Sequence, residues 1–142
     1  MSIGGQGDLT RRNECSARPA TLKYEDSYQI PIVSFLTAAA PNLGAIATSQ
    51  PTAAGTVTGM LATRAARVLA AAAAHGHRRL VLGAWGCGVF RNDPAVVAEA
   101  FAGQLARTQG HFDHVVFAVL DRQRGTPTHA AFTRALRRPA VR

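Results

Sequence analysis

The sequence predicts an α/β protein, a three-layer α/β/α arrangement around a mostly parallel sheet. Short apolar runs at residues 30–36, 80–84 and 115–120 alternate with longer segments of helical periodicity. That alternation is what a parallel sheet with crossover helices requires. The runs at 80–84 and 115–120 are continuously apolar, as strands buried on both faces are. A length of 142 residues suits one core, so residues 1–142 read as a single domain.

The elements follow in order. Residues 1–12 form a glycine-containing loop, and residues 13–24 have room for a short helix if Pro19 sits in its first turn. The first 29 residues supply no clear strand. The 30–36 run is the first, and Pro41-Asn42 turn chemistry ends it. Residues 43–55 carry scattered Gly, Pro, Ser and Thr and read as a flexible connection. The strongest helix covers 57–75, where Val57, Leu61, Ala65, Val68, Leu69 and Ala72 recur at helical spacing before a Gly76 stop. The 80–84 strand comes next. Asn92-Asp93-Pro94 then opens a helix with a capping side chain and a first-turn proline. It runs to about Thr108, with Val96, Val97, Ala100, Phe101 and Leu105 on its buried face. After the 115–120 strand, Thr126-Pro127 opens a last helix carrying Ala131, Phe132 and Leu136. Three strands make a thin sheet, which leaves an edge open to a second copy, so a homo-oligomer is among the expectations.

Composition narrows the partners. Hydrophobic residues make up 47% of the chain, too many for a disordered tail. The net charge is +8, and every basic residue but Lys23 is Arg. Such a charge fits a nucleic-acid binder or a pocket for a phosphorylated ligand. The arginines are scattered; outside the motifs only Arg11-Arg12 and Arg137-Arg138 are adjacent. That pattern argues for composition bias and against a nucleic-acid partner. Cys15 and Cys87 form no CxxC pair, so a reducing cytoplasm is the expected location. No apolar run has the length and residues of a membrane span, and residues 1–8 are glycine-rich and polar, unlike a signal peptide.

The chemistry-bearing motif is Gly83-Ala84-Trp85-Gly86-Cys87-Gly88-Val89-Phe90, which follows a strand and precedes a capped helix. Ligands of open parallel sheets sit at such strand ends. Three glycines in six residues allow the backbone to turn N–H groups inward and approach an anion closely. The following helix would add its positive N-terminal end. The bland alternative is a tight strand-to-helix turn without a ligand. The loop is neither a P-loop nor a full GxGxxG.

From Val33 to Phe132 the chain resembles the microbial type of poly(ADP-ribose) glycohydrolase, a branch of the macrodomain superfamily. The resemblance rests on residues 34–42 (SFLTAAAPN), 79–94 (RLVLGAWGCGVFRNDP) and 112–121 (FDHVVFAVLD). It implies a macrodomain-like fold in which the 83–90 loop wraps the diphosphate of ADP-ribose. It places Phe90 near the distal ribose, and Pro41 and Asn42 beside the pocket. The family's catalytic part is a triple-glycine stretch followed by Gln-Glu-Glu. Here Gly4-Gly5-Gln6-Gly7 precedes Arg12-Asn13-Glu14, with Arg18 and Ala20-Thr21-Leu22 setting the register. The resemblance thus makes residues 1–29 a shortened catalytic-loop-like segment, adds Gly4 and Gly5 to the ligand-binding set, and puts Glu14 where the catalytic Glu belongs. The third glycine, the Gln and the first Glu are not matched. A single carboxyl could protonate the leaving oxygen and then activate water. The plain alternative is a solvated carboxylate at a helix start.

Other residues keep two readings open. Cys87 is a nucleophile or small-residue packing, the latter favoured because no His lies close in sequence. Trp85 stacks on a ligand ring or anchors the loop. Asp121 faces the pocket or merely ends a strand. The five histidines lack metal-ligand spacing, so no metal and no cofactor is expected. The expectation is a hydrolase that removes ADP-ribose from ADP-ribosylated proteins or polymer ends. The alternative is a reader that binds ADP-ribose without cleavage.

Overall fold

The computed structural model describes residues 16–20, 33–108 and 110–137. Contacts divide the chain into two compact units, Met1–Ala39 and Ala40–Arg142. In the first, β1 (Ser16–Ala20) pairs antiparallel with β2 (Val33–Thr37), Ser16 opposite Thr37 and Ala20 opposite Val33. The short helix expected over 13–24 is thus a strand at its centre. Pro19 is the reason: past the first helical turn it removes a hydrogen bond and clashes with the preceding turn, whereas an extended pair tolerates it at an edge.

The second unit runs α1 (Leu43–Ser49), a 3-10 turn (Pro51–Thr56), α2 (Val57–Ala74), β3 (Arg79–Gly83), α3 (Pro94–Arg107), β4 (His114–Ala118) and α4 (Pro127–Arg137). The connection expected to be flexible at 43–55 is helical. Asn42 caps α1 by accepting from the Ala45 N–H at 3.0 Å. The Thr48 and Ser49 hydroxyls, which read as loop formers, donate back to the Gly44 and Ala45 carbonyls. Among the described residues no helix is long and apolar enough to cross a membrane.

β3 and β4 pair in parallel, Arg79 opposite His114 and Gly83 opposite Ala118. With helices before, between and after them, they form the α/β unit that the alternation of runs predicts. The pair is not buried on both faces. Leu80, Leu82, Val115 and Phe117 are half-buried, while Val81 is 75% and Val116 41% exposed. Strand side chains alternate sides, so a continuous apolar run does not reveal which faces are covered.

All six periodic positions of α2 are buried. Helix α3 packs against both α2 and α4, and buries Val97, Ala98 and Phe101. Ala98 thus replaces the expected Ala100, and Val96 and Leu105 stay partly exposed. A helix held from two sides buries the arc facing both neighbours, not the arc with the largest side chains. Aromatic rings run through this core: Trp85 to Phe101 at 5.7 Å, Phe101 to Phe117 at 5.7 Å, and Phe117 to Phe132 at 5.3 Å between centroids.

The start of the sheet is fixed by Arg78 and Asp113. The guanidinium donates to both carboxylate oxygens at 2.8 and 2.6 Å, and the Arg78 carbonyl accepts from the Asp113 N–H at 2.7 Å. The hydrogen bond from Arg78 holds the Asp113 carboxyl below its usual range. Both side chains are more than half exposed, so the pair sets register more than it adds stability. Because the folded pKa is depressed, its contribution is present above the unfolded carboxylate pKa and is lost as pH falls.

Leu69 is 1% exposed. Leu69→Ala is expected to cost about 2–5 kcal/mol in urea unfolding, and Arg78→Ala far less. The reverse order would show that the α2 face is not the core.

Candidate functional site

Loop 83–90 leaves the C-terminal end of β3 and leads into α3. Its own backbone closes it tightly. The Trp85 N–H donates to the Gly83 carbonyl, Cys87 to Ala84, Arg91 to Gly88 and Asn92 to Gly86, at 2.9, 3.1, 2.9 and 3.1 Å. No intramolecular acceptor is found among the described residues for the N–H groups of Gly86, Gly88, Val89 and Phe90. Four donors within five residues are therefore left for solvent or for an anion, the arrangement by which glycine loops bind phosphate.

Three supports hold this loop. Gly86 has φ +73°, a conformation that costs an ordinary L-residue about 1 kcal/mol or more. Space is the stronger constraint: a Cβ there would overlap Asn92 Nδ2 and stand 2.7 Å from the Ala40 Cβ. Asn92 itself is 2% exposed, and its Nδ2 donates to the Pro41 carbonyl at 2.9 Å. On the other side, the Gly44 N–H donates to the Phe90 carbonyl at 3.0 Å. The Arg91 stem lies against Gly44, where a Cβ would stand 3.2 Å from its Cδ. Finally, Trp85 leans on Phe101, worth about 1 kcal/mol beyond area burial. That contact fits Trp85 as an anchor for the loop.

The electrostatics correct one expectation. The positive N-terminal end of α3, expected to face the ligand, is capped by Asp93, which accepts from the Ala95 N–H at 2.8 Å. A helix N-terminus carries roughly half a positive charge, and a full carboxylate already sits on it. The loop amides, not the helix, are what remains for an anion. Beside them lies an open groove of about 490 Å³ whose lining includes Cys87, Gly88, Arg91, Gln123, Pro127 and Arg134. Arg91 and Arg134 make no ion pair among the described residues. Arg91 takes φ 57° at the loop's exit, and Thr126 takes φ 44° just before α4.

The site residues read from the sequence fall into three groups. Gly83, Ala84, Trp85, Gly86, Cys87, Gly88, Val89 and Phe90 form the loop, with Val89 91% exposed. Pro41 lies under it, while the Asn42 side chain is engaged as the α1 cap. Gly4, Gly5 and Glu14 lie outside the described residues. Asp121 does not offer its carboxylate to the groove. It accepts from the Gln123, Thr128 and His129 N–H groups at 3.0, 2.6 and 3.2 Å. Burial works to raise its pKa, but these amides outweigh it and the net shift is downward. Asn92, Gly44 and Arg91 were missed. The Asn-Asp-Pro triplet offered two side chains for one cap, and the spare one was the available signal. No group of three or more His, Cys, Asp or Glu among the described residues could hold a metal.

Two measurements test this geometry. Gly86→Val is expected to lower stability by about 2–4 kcal/mol and to shift the amide resonances of residues 86–90; a variant with parental stability would show that the loop is not packed on Asn92. Burial, and then the Asp93 charge, push the Cys87 thiol up to about 11. In a Cys15→Ser background, alkylation at pH 7 is expected to run roughly a hundredfold slower than for an ordinary thiol and to rise with pH. Rapid labelling at neutral pH would restore the nucleophile reading.

Comparison with known structures fits this geometry. The poly(ADP-ribose) glycohydrolase of Deinococcus radiodurans in complex with ADP-ribose is 52% identical, with a TM-score of 0.72, over 75% of this chain and 43% of that one. The glycohydrolase of Thermomonospora curvata is 53% identical, with a TM-score of 0.65, over 79% of this chain and 40% of that one. No family model and no curated protein matches. The chain is a relative of the microbial-type poly(ADP-ribose) glycohydrolases, a branch of the macrodomain superfamily, and spans less than half the length of these structures.

Proposed function

We propose that this chain binds ADP-ribose through loop 83–90 and removes it from ADP-ribosylated proteins or polymer ends. The observation that carries the reading is the set of four amides without intramolecular acceptors at Gly86, Gly88, Val89 and Phe90. Backbone amides can bind a diphosphate without a metal. The likeness at 52% identity to a glycohydrolase solved with ADP-ribose supports the identity of the ligand. The groove beside Cys87 and Gly88, with Arg91 and Arg134 on its lining, offers room and positive charge for the part of the ligand beyond the diphosphate.

For catalysis, Glu14 is the acid/base in this reading. Its carboxyl protonates the leaving oxygen at the distal ribose C1″, and the resulting carboxylate takes a proton from the attacking water. Burial and a neighbouring diphosphate would both raise its pKa toward that role. The neighbouring Arg12 would act in the opposite direction. The second reading, a reader that binds without cleaving, is favoured by the Arg12-Asn13 pair standing where the family has Gln-Glu.

Calorimetric titration with ADP-ribose is expected to give low-to-mid micromolar affinity, unchanged by a chelator. Glu14→Gln should keep that affinity and slow release of ADP-ribose from a modified protein by about 10²–10⁴-fold. Equal turnover by parent and variant would remove Glu14 from the mechanism. No turnover by either, with binding intact, would establish the reader.

A further inference from the structure

We infer that Asn92 is a positioning residue for the phosphate loop: its buried amide, directly beneath Gly86, ties the loop to the Pro41 carbonyl and fixes where the amides of residues 86–90 stand. The ligand half of this inference rests on the ADP-ribose reading; the structural half does not.

Asn92 bonds the loop twice. Its backbone N–H donates to the Gly86 carbonyl at 3.1 Å, and its side chain donates to Pro41, 51 positions away in sequence, at 2.9 Å. The missing Cβ of Gly86 leaves the space that its Nδ2 fills. Loop height above the 40–42 segment is thus set by the size of one carboxamide.

The other end of that carboxamide is unusual. Asn92 Oδ1 is buried with no partner among the described residues. A buried acceptor without a donor is destabilising, so packing alone would be served better by an apolar side chain. What the amide supplies instead is a donor at the one point where Pro41 needs it. Asp93 holds the neighbouring capping role, so capping does not account for Asn92 either. Native structures rarely keep a buried polar atom unpaired without a local reason.

Asn92→Ala and Asn92→Asp separate position from stability. Asp has the same shape but at neutral pH sets a carboxylate oxygen against the Pro41 carbonyl. Val68→Ala, in the α2 core and away from the loop, is the control for general destabilisation. Two readouts are taken: hydrogen exchange at the protected Cys87, Arg91 and Asn92 amides, and calorimetric affinity for ADP-ribose. Both Asn92 variants are expected to exchange faster at these amides and to bind about tenfold or more weakly. Val68→Ala should lower the melting temperature with affinity unchanged. Parental exchange in both Asn92 variants overturns the inference, as does an equal loss of affinity in Val68→Ala. If the parent itself fails to bind ADP-ribose while loop exchange still rises in the Asn92 variants, the ADP-ribose reading falls and the structural role of Asn92 stands.

Discussion

The site depends on one constraint: there is no room for a side chain at Gly86. Because the loop presses onto Asn92 and Ala40 there, it can close its short turns from Gly83 to Asn92 on itself. Closing those turns uses the amides of Trp85, Cys87, Arg91 and Asn92. It leaves those of Gly86, Gly88, Val89 and Phe90 over. The binding capacity of the loop is therefore a by-product of how tightly it is folded. A looser turn would satisfy its donors internally or in water and would present no fixed set.

Much of this was legible in the sequence, and the limits have physical causes. The α2 face could be read because six positions repeat at one period over five turns. The glycine loop could be read because Gly86, at φ +73° and with no room for a Cβ, is a position that favours glycine. The helical 43–49 segment could not, since Ser and Thr favour loops by local hydrogen bonding and here the same hydroxyls bond within the helix. Asn92 was hidden by ambiguity: a cap and a buried strut are both jobs for a short amide. Pro19 carried the correct signal against a helix, but only a partner strand such as 33–37 turns that signal into a β-pair.

Charge is the other lesson. A net +8 suggests that arginines dominate recognition, yet the best-placed donors are neutral. Asp93 places a full negative charge at the start of α3, against roughly half a positive charge from the helix. Cys87 feels the same carboxylate and stays a thiol. On the proposed reading, then, the loop would hold an anion by directed amides at close range. Arg91 and Arg134 are exposed on the groove, where water and salt weaken each charge, so on that reading they would serve capture and orientation more than tight holding.

This division matters for a chain that spans 43% of a longer relative and holds the whole of loop 83–90. Every support identified for the loop comes from residues 40–132: Ala40 and Pro41 beneath it, Gly44 beside it, Asn92 at its exit, and Trp85 joined through Phe101 and Phe117 to Phe132. Binding needs only a fixed set of donors, and these supports fix them. Cleavage needs in addition a carboxyl held at the ribose carbon to within a fraction of an ångström. The segment with Glu14 departs from the family's sequence, whereas the loop does not. Under the proposed reading, selection could relax the second requirement while keeping the first, because the supports described for the loop and the segment with Glu14 are different stretches of sequence. A slow hydrolase and a reader would then differ in the segment with Glu14 and not in the loop.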